Sequence, residues 1–268
     1  MIDYGKKDVL GIPIDAVDYE AAVERVITAA KEQRPLAVSA LAVHGVMTGV
    51  LDPAHKFRLN KFDLLVPDGQ PVRWALRWLH RTKLADRVYG PKLMLEICRR
   101  AEAEQVPIFL YGGTDAMLEA LRLRFTKEFP QLQIAGMRRS AFRKLTPEER
   151  DQMAADIRAS GAKITFIGLG CPRQEVFAYE MRERLGMPLL AVGAAFNFHA
   201  GILPQAPAGM QRFGLEWLYR LVQEPRRLWK RYLLLNPLYV AMVSCQWTGL
   251  WKSENHVGHP PAEELRYG

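Results

Sequence analysis

Apolar residues in this chain gather into short runs that alternate with longer stretches of helical spacing. The runs are Leu36–Val43, Phe62–Val66, Pro107–Tyr111, Gln133–Gly136, Ile164–Ile167 and Leu189–Val192. Between them, Asp18–Glu32 places Ala21, Val23, Ile27 and Ala30 at helical intervals behind a capping Asp18. Further helical stretches run toward Val50, over Val72–Leu79, from Pro91 to about Ala103, from Thr114 or Asp115 to about Phe125, and from Thr146 to about Ala159. Val9–Ile14 reads as a short strand or ribbon. Strands that are apolar throughout are buried on both faces, and their regular alternation with helices predicts an α/β fold whose mostly parallel sheet is covered on both sides.

Most of these strands end in glycine or a tight turn, and ligands of such sheets bind outside the carboxyl ends of the strands. The densest chemistry lies in Lys163–Gly201. Gly168-Leu169-Gly170-Cys171-Pro172-Arg173-Gln174-Glu175 follows one strand, and Gly193-Ala194-Ala195-Phe196-Asn197-Phe198-His199-Ala200-Gly201 follows the next. Gly168 and Gly170 let a ligand approach the backbone, Pro172 suits a first helical position, and Arg173 and Gln174 add a guanidinium and an amide to the free N–H groups of a helix start. That combination suits a diphosphate. Gly193, Asn197 and His199 are the candidates of the second loop. A dinucleotide fingerprint would need glycine at Arg173, and the chain contains no P-loop. An ordinary strand-to-helix turn is the alternative.

Earlier strand ends supply other groups. Ser39 and His44 lie at the first, where His44 is more readily a structural histidine than a ligand contact. Pro67-Asp68-Gly69-Gln70-Pro71 puts a carboxylate at the next strand end, where it is placed to act as a general base or, more simply, to cap a helix. Gln70 shares that turn. Arg87 and Tyr89 sit in a turn-rich loop that could line a sugar or acceptor pocket, and Gly112-Gly113 closes a further strand.

Composition narrows the partner. A formal charge of +8 points to an anion: nucleic acid, a phosphorylated small molecule or an anionic bilayer. Cys98, Cys171 and Cys245 are far apart and show no CxxC or Cys/His spacing, so neither a disulfide framework nor a zinc site is indicated, and a reducing cytoplasm fits. The start of the chain has no long apolar segment of the kind that directs secretion. Half of the excess charge lies in Arg212–Arg231, interleaved with Trp217, Tyr219, Trp229 and Tyr232. After Pro225, Leu228, Trp229, Tyr232 and Leu235 fall on one helical face beside Arg226/Lys230 and Arg227/Arg231. This predicts a segment lying on an anionic bilayer rather than crossing it, or a helix on its own core with a solvated basic rim. A nucleic-acid partner is disfavoured because the cations collect in one Trp/Tyr-rich segment. The expected division is a catalytic core over 1–205, a basic aromatic appendage over 206–250 and a disordered tail over 251–268.

Taken together, Pro67-Asp68-Gly69, the Tyr111-Gly112-Gly113 turn, the two long loops and Gly214-Leu215-Glu216-Trp217-Leu218-Tyr219-Arg220 through Glu224-Pro225-Arg226-Arg227-Leu228 to Arg231-Tyr232 resemble the WecG/TagA/CpsF family of bacterial glycosyltransferases, over roughly Val9 to Asn236. The resemblance implies a Rossmann-like core with a C-terminal appendage that completes the site. It also implies a metal-independent, inverting enzyme without a cofactor, moving a sugar from a UDP-sugar to a polyprenyl-diphosphate-linked acceptor at the inner membrane face. Matched to the family's motifs, Asp68 is the catalytic aspartate, Ser39 stands for the first-strand threonine, Gln174 is the glutamine of the C-P-[KR]-Q-E motif, and Arg220, Arg227 and Arg231 are the basic appendage residues. Where many members carry Thr-x-Asn, this chain has Ser39-Ala40-Leu41. The N-acetylmannosamine donor of some members therefore carries over no better than a glucuronate or glucose donor. Oligomeric state, including a homo-oligomer, is left open.

Overall fold

A computed structural model describes residues 1–251 and 257–268. The chain begins with an antiparallel hairpin of β1 (Asp3–Val9) and β2 (Ile12–Val17). The ribbon expected over Val9–Ile14 is thus the reversal itself: Leu10 (φ 57°) and Gly11 (φ 80°) form the two-residue turn, and apolar residues continue across it. Helix α1 (Tyr19–Lys31) follows, and the Asp18 carboxylate accepts from the Ala21 N–H at 2.9 Å as its cap. Next come β3 (Leu36–Leu41), α2 (Val43–Leu51), α3 (Pro53–Asn60), β4 (Leu64–Pro67), α4 (Gln70–His80) and α5 (Gly90–Ala103). Patterning did not anticipate α3, whose sequence PAHKFRLN has no clear apolar stripe; it forms because Asp52 caps it and Pro53 starts it. The second half runs β5 (Ile108–Gly112), α6 (Asp115–Glu128), β6 (Ile134–Arg138), α7 (Pro147–Ala159), β7 (Ile164–Gly168), α8 (Arg173–Leu185), β8 (Pro188–Ala191) and α9 (Ala195–His199). It ends in α10 (Ala208–Arg212), α11 (Glu216–Gln223) and α12 (Pro225–Thr248).

Six strands form one parallel sheet in the order β4-β3-β8-β7-β5-β6. Alternation along each strand divides the core. Val38, Leu64, Val66, Ile108, Leu110, Ile164, Phe166 and Leu190 pack with α1, α5, α6 and α9. Ala37, Leu41, Leu65, Phe109, Tyr111, Ile167 and Leu189 pack on the other face with α2, α3, α4, α7, α8 and the hairpin. The hairpin lies beside β4 without joining the sheet. Its buried Asp15 accepts from the Leu65 N–H at 2.8 Å, which occupies a donor on that sheet edge.

The appendage is joined to this core. Leu228, Tyr232, Tyr239 and Val243 form the buried stripe of α12, and Tyr239 and Val243 belong to the same apolar cluster as the sheet. Gln246 accepts from the Leu10 N–H at 2.9 Å and donates to Asp8 at 2.8 Å, fastening the far end to the hairpin. The single face expected from spacing is therefore divided: Leu228 and Tyr232 face inward, whereas Trp229 is 46% exposed. The tail differs from expectation as well. Residues 252–256 of the stretch expected to be disordered lie outside the described residues, but Val257–Gly268 runs along the core. Glu180 accepts from the N–H groups of Leu265 and Arg266 at 2.7 and 3.0 Å, Glu264 pairs with buried Arg150, and the Ser140 hydroxyl donates to the Gly268 carbonyl at 2.6 Å. A polar composition argues for disorder only when the backbone finds no fixed partners, and here side chains of the core supply them.

Candidate active site

The carboxyl ends of β3, β4 and β8 converge at Gly90. A Cβ built there would meet the Ala40 Cβ at 3.0 Å, the Asp68 Oδ2 at 3.5 Å and the Val192 carbonyl at 3.7 Å. Asp68 leaves β4 through Gly69, whose φ of 106° favours glycine. Burial pushes its carboxyl up to about 7. Arg87 works against that rise, Glu216 adds to it, and the Gly90 backbone and Arg220 again oppose it. Asp68 does not serve as the side-chain cap of α4, which begins without one.

Arg87 connects this strand end to the appendage. Its guanidinium donates to Glu216 of α11 at 2.6 Å and to Gln211 of α10 at 3.1 Å, and lies 4.3 Å from the centre of the Tyr89 ring. Side-chain exposures of 7% for Arg87 and 13% for Glu216 make this a largely buried pair. Gln70 donates to Asp86 at 3.0 Å, leaving its own carbonyl oxygen without a partner. The Tyr89 hydroxyl is likewise buried and unpartnered, and burial, with Glu216 and Asp68 beside it, raises its pKa. Asp68, Gln70, Arg87 and Tyr89, separate in sequence, thus meet under α10 and α11. Glu216 and Gln211 were not anticipated as members. Only their contact with Arg87 identifies them.

The 168–175 segment makes a second cluster. Helix α8 starts at Arg173, one residue after Pro172. Gln174 is buried and turned inward: its Oε1 accepts from the Gly170 N–H at 3.1 Å and its Nε2 donates to Glu175 at 2.8 Å. The side chain also crosses Gly193, where a Cβ would lie 2.8 Å from Gln174 Oε1. Ser39, fully buried, donates to the same Glu175 oxygen at 2.9 Å. Ser39 and Gln174 therefore brace the loops from within. Glu175, their shared acceptor, was not expected in this role because an acid in a helix's first turn ordinarily serves the helix N-terminus.

Other candidates are dispersed. Gly112 and Gly168 are register partners on β5 and β7, and a Cβ on Gly112 (φ 119°) would lie 2.8 Å from the Gly168 backbone. The Gly113 carbonyl accepts from the Ser140 N–H at 3.0 Å. Gly170 has open space around it. Arg173 is exposed beside the Tyr267 ring. His199 is buried with its Nε2 2.9 Å from the Pro91 carbonyl, and the Asn197 carbonyl accepts from Ile202 and Leu203.

His44, half-buried at the start of α2, has its pKa lowered to about 3 by burial and then by Arg231, so it is neutral at pH 7. Arg231, on α12, is half-buried with its Nε unpartnered. Burial lowers its pKa, and Arg220 and Arg227 lower it further. Arg220 acts on both Asp68 and Arg231 and so lies between the two clusters. Its guanidinium is 5.7 Å from the Phe198 ring. Arg227 is on the exposed rim, paired with Glu224 at 2.5 Å. Among the described residues, no helix is long and apolar enough to cross a membrane.

The site therefore pairs a strand-end carboxylate with glycine loops and cations supplied by the appendage. The sequence matches the profile of the Glycosyl transferase WecG/TagA/CpsF family over residues 7–253, which takes in the sheet, both loops and α10 to α12. The chain belongs to that glycosyltransferase family.

Proposed function

We propose that this protein is an inverting glycosyltransferase that moves a sugar from a UDP-sugar to a polyprenyl-diphosphate-linked saccharide at the inner membrane face, in the synthesis of a cell-envelope polymer. Asp68 carries the reading. A carboxylate with its pKa pushed up to about 7, at a strand end where the glycine loops meet, is matched to removing a proton from a hydroxyl at neutral pH. As that proton passes to Asp68, the acceptor oxygen bonds to the anomeric carbon and the bond to the UDP oxygen breaks, with the electron pair leaving on UDP. One base and one displacement invert the configuration.

Arg220 and Arg231 suit the departing diphosphate. Two guanidiniums brought together in a half-buried setting repel one another, and an anion between them removes that cost as charge develops on the leaving group. Charge supplied by arginines makes magnesium or manganese unnecessary for this step. Enzyme treated with chelator is expected to gain no turnover when either ion is added, and a strict requirement for one would remove the arginines from this role. The exposed face of α12 supports membrane docking. Trp229, Leu233, Val240 and Trp247 recur at i, i+4, i+11 and i+18 and are 46 to 65% exposed, with Arg226 and Lys230 beside them.

The test incubates full-length protein with a panel of UDP-sugars and a short-chain polyprenyl-diphosphate saccharide, following UDP release and the anomeric configuration of the product. Acceptor-dependent release with inversion is expected. Donor binding without release under any acceptor would make the protein a nucleotide-sugar-binding module, and a retained configuration would overturn the single displacement.

A further inference from the structure

No Cys/His cluster is visible in the spacing of the sequence, but folding makes one. His55 of α3, Cys171 of the loop and Glu175 of α8 each present a ligand atom within 4.8 Å of the other two. We infer that these three residues bind one transition-metal ion of the zinc class, on the inner side of the 168–174 loop. The inference does not depend on glycosyl transfer.

Two observations beyond proximity support it. His55 is 1% exposed, and neither of its ring nitrogens has a partner. A buried imidazole carries an N–H and a lone pair that ordinarily find partners, and leaving them without any is costly; ligation satisfies the acceptor nitrogen. Glu175, also 1% exposed, is held through Oε1 by Ser39 and Gln174, whereas Oε2 has no partner. A carboxylate fixed through one oxygen with the other free is how outer hydrogen bonds orient a metal ligand.

The donor set indicates the class of ion. Imidazole, thiolate and carboxylate together suit zinc, whereas magnesium and calcium prefer oxygen alone. Ligand atoms of a tetrahedral zinc with one sulfur lie about 3.3–3.5 Å apart, given Zn–N of about 2.0 Å and Zn–S of about 2.3 Å, so separations of up to 4.8 Å must contract by at most about 1.5 Å. Cys171 is half-buried and carried on a loop, which suits it to make that movement. Two ligands come from the loop and the start of α8 and the third from α3. A bound ion would therefore tie the 168–174 loop to the neighbouring helix and raise the stability of the whole chain.

The experiment uses full-length protein freed of metal by chelation, titrated with cobalt(II) as a spectroscopic probe and then with zinc. We expect one cobalt per chain with a thiolate-to-cobalt charge-transfer band, its displacement by zinc, and a higher Tm with either ion. Cys171→Ser should abolish the band, and Cys171→Ser and His55→Gln should each weaken zinc binding by at least about 10²-fold. Cys245→Ser should leave both unchanged. Circular dichroism checks each fold; if His55→Gln does not fold, the nearly isosteric Cys171→Ser decides the matter. A wild-type protein without the band, a band that survives Cys171→Ser, or a band lost in Cys245→Ser would overturn the assignment.

Discussion

Asp68 and His44 both lie at strand ends, yet their surroundings set them to different tasks. Burial drives each toward its neutral form, which raises the carboxyl to about 7 and lowers the imidazole to about 3. The proposed base must be ionised to act, so with Asp68 in that role kcat/KM should fall as pH drops through about 7. Asp68→Asn should fold and bind UDP but lose turnover by about 10²-fold or more. Near-normal turnover by the folded variant would remove Asp68 from the chemistry. The stability consequence has the opposite sign. A carboxyl raised from 3.8 to about 7 imposes no cost below the lower value and its full cost above the upper one. Asp68→Asn should therefore melt higher than wild type at pH 8, with the difference gone near pH 4. Gly112 is constrained by contact instead. Gly112→Ala would put a methyl group 2.8 Å from the Gly168 backbone at a φ of 119°, and a loss of about 1–3 kcal/mol in denaturant unfolding is expected. An unchanged midpoint would mean that β5 and β7 move apart freely.

Among the elements, α10 and α11 have no buried residue of their own, and Arg87 fastens both over the β4 end, α10 through Gln211 and α11 through Glu216. Glu216 also raises the pKa of Asp68. Glu216→Gln should thus shift the acid limb of the pH–rate profile to lower pH and speed limited proteolysis between Gly201 and Gln223. Global unfolding should change little, since α12 keeps its own packing. If neither the limb nor the cleavage rate moves, the pair is not what holds the appendage to the site. The break at Pro225, the aromatic and basic composition and the alternation of strands and helices were all legible beforehand. Which of the two readings, on a bilayer or on the chain's own core, holds for Leu228 and Tyr232 was not, because spacing defines a face but not what covers it.

For the molecule as a whole, charge and exposed apolar surface coincide on the appendage. Each cation near an anionic bilayer contributes about 1 kcal/mol, and Trp229 and Leu233 add apolar burial. Replacing both with serine should weaken binding to anionic vesicles while leaving turnover of a water-soluble acceptor analogue intact. Arg231→Gln should lower turnover of that analogue, as the proposed neutralisation of the diphosphate requires. Vesicle binding unaffected by the double serine variant would place the membrane contact elsewhere. Because Tyr239, Val243 and Gln246 bind the core and the hairpin, the appendage is part of the stability of the whole rather than a removable anchor.

The sequence alone determined the α/β architecture, the order of the six sheet strands along the chain and the strand ends that carry the candidate groups. These follow from local causes: apolar runs bury strands, caps start helices, and glycine or a tight turn ends most strands. Asp68 and the loops at Gly168 and Gly193 were legible for the same reason. Tertiary structure decided which groups meet. Ser39 and Gln174 converge on Glu175, Arg87 finds Glu216 more than a hundred residues away, and His55 comes to lie beside Cys171. Those meetings depend on sheet order and on helix packing across the β3 and β8 ends, which no local pattern encodes. The same holds for the tail, whose polar residues have little drive to order until Glu180 and Ser140 hold them.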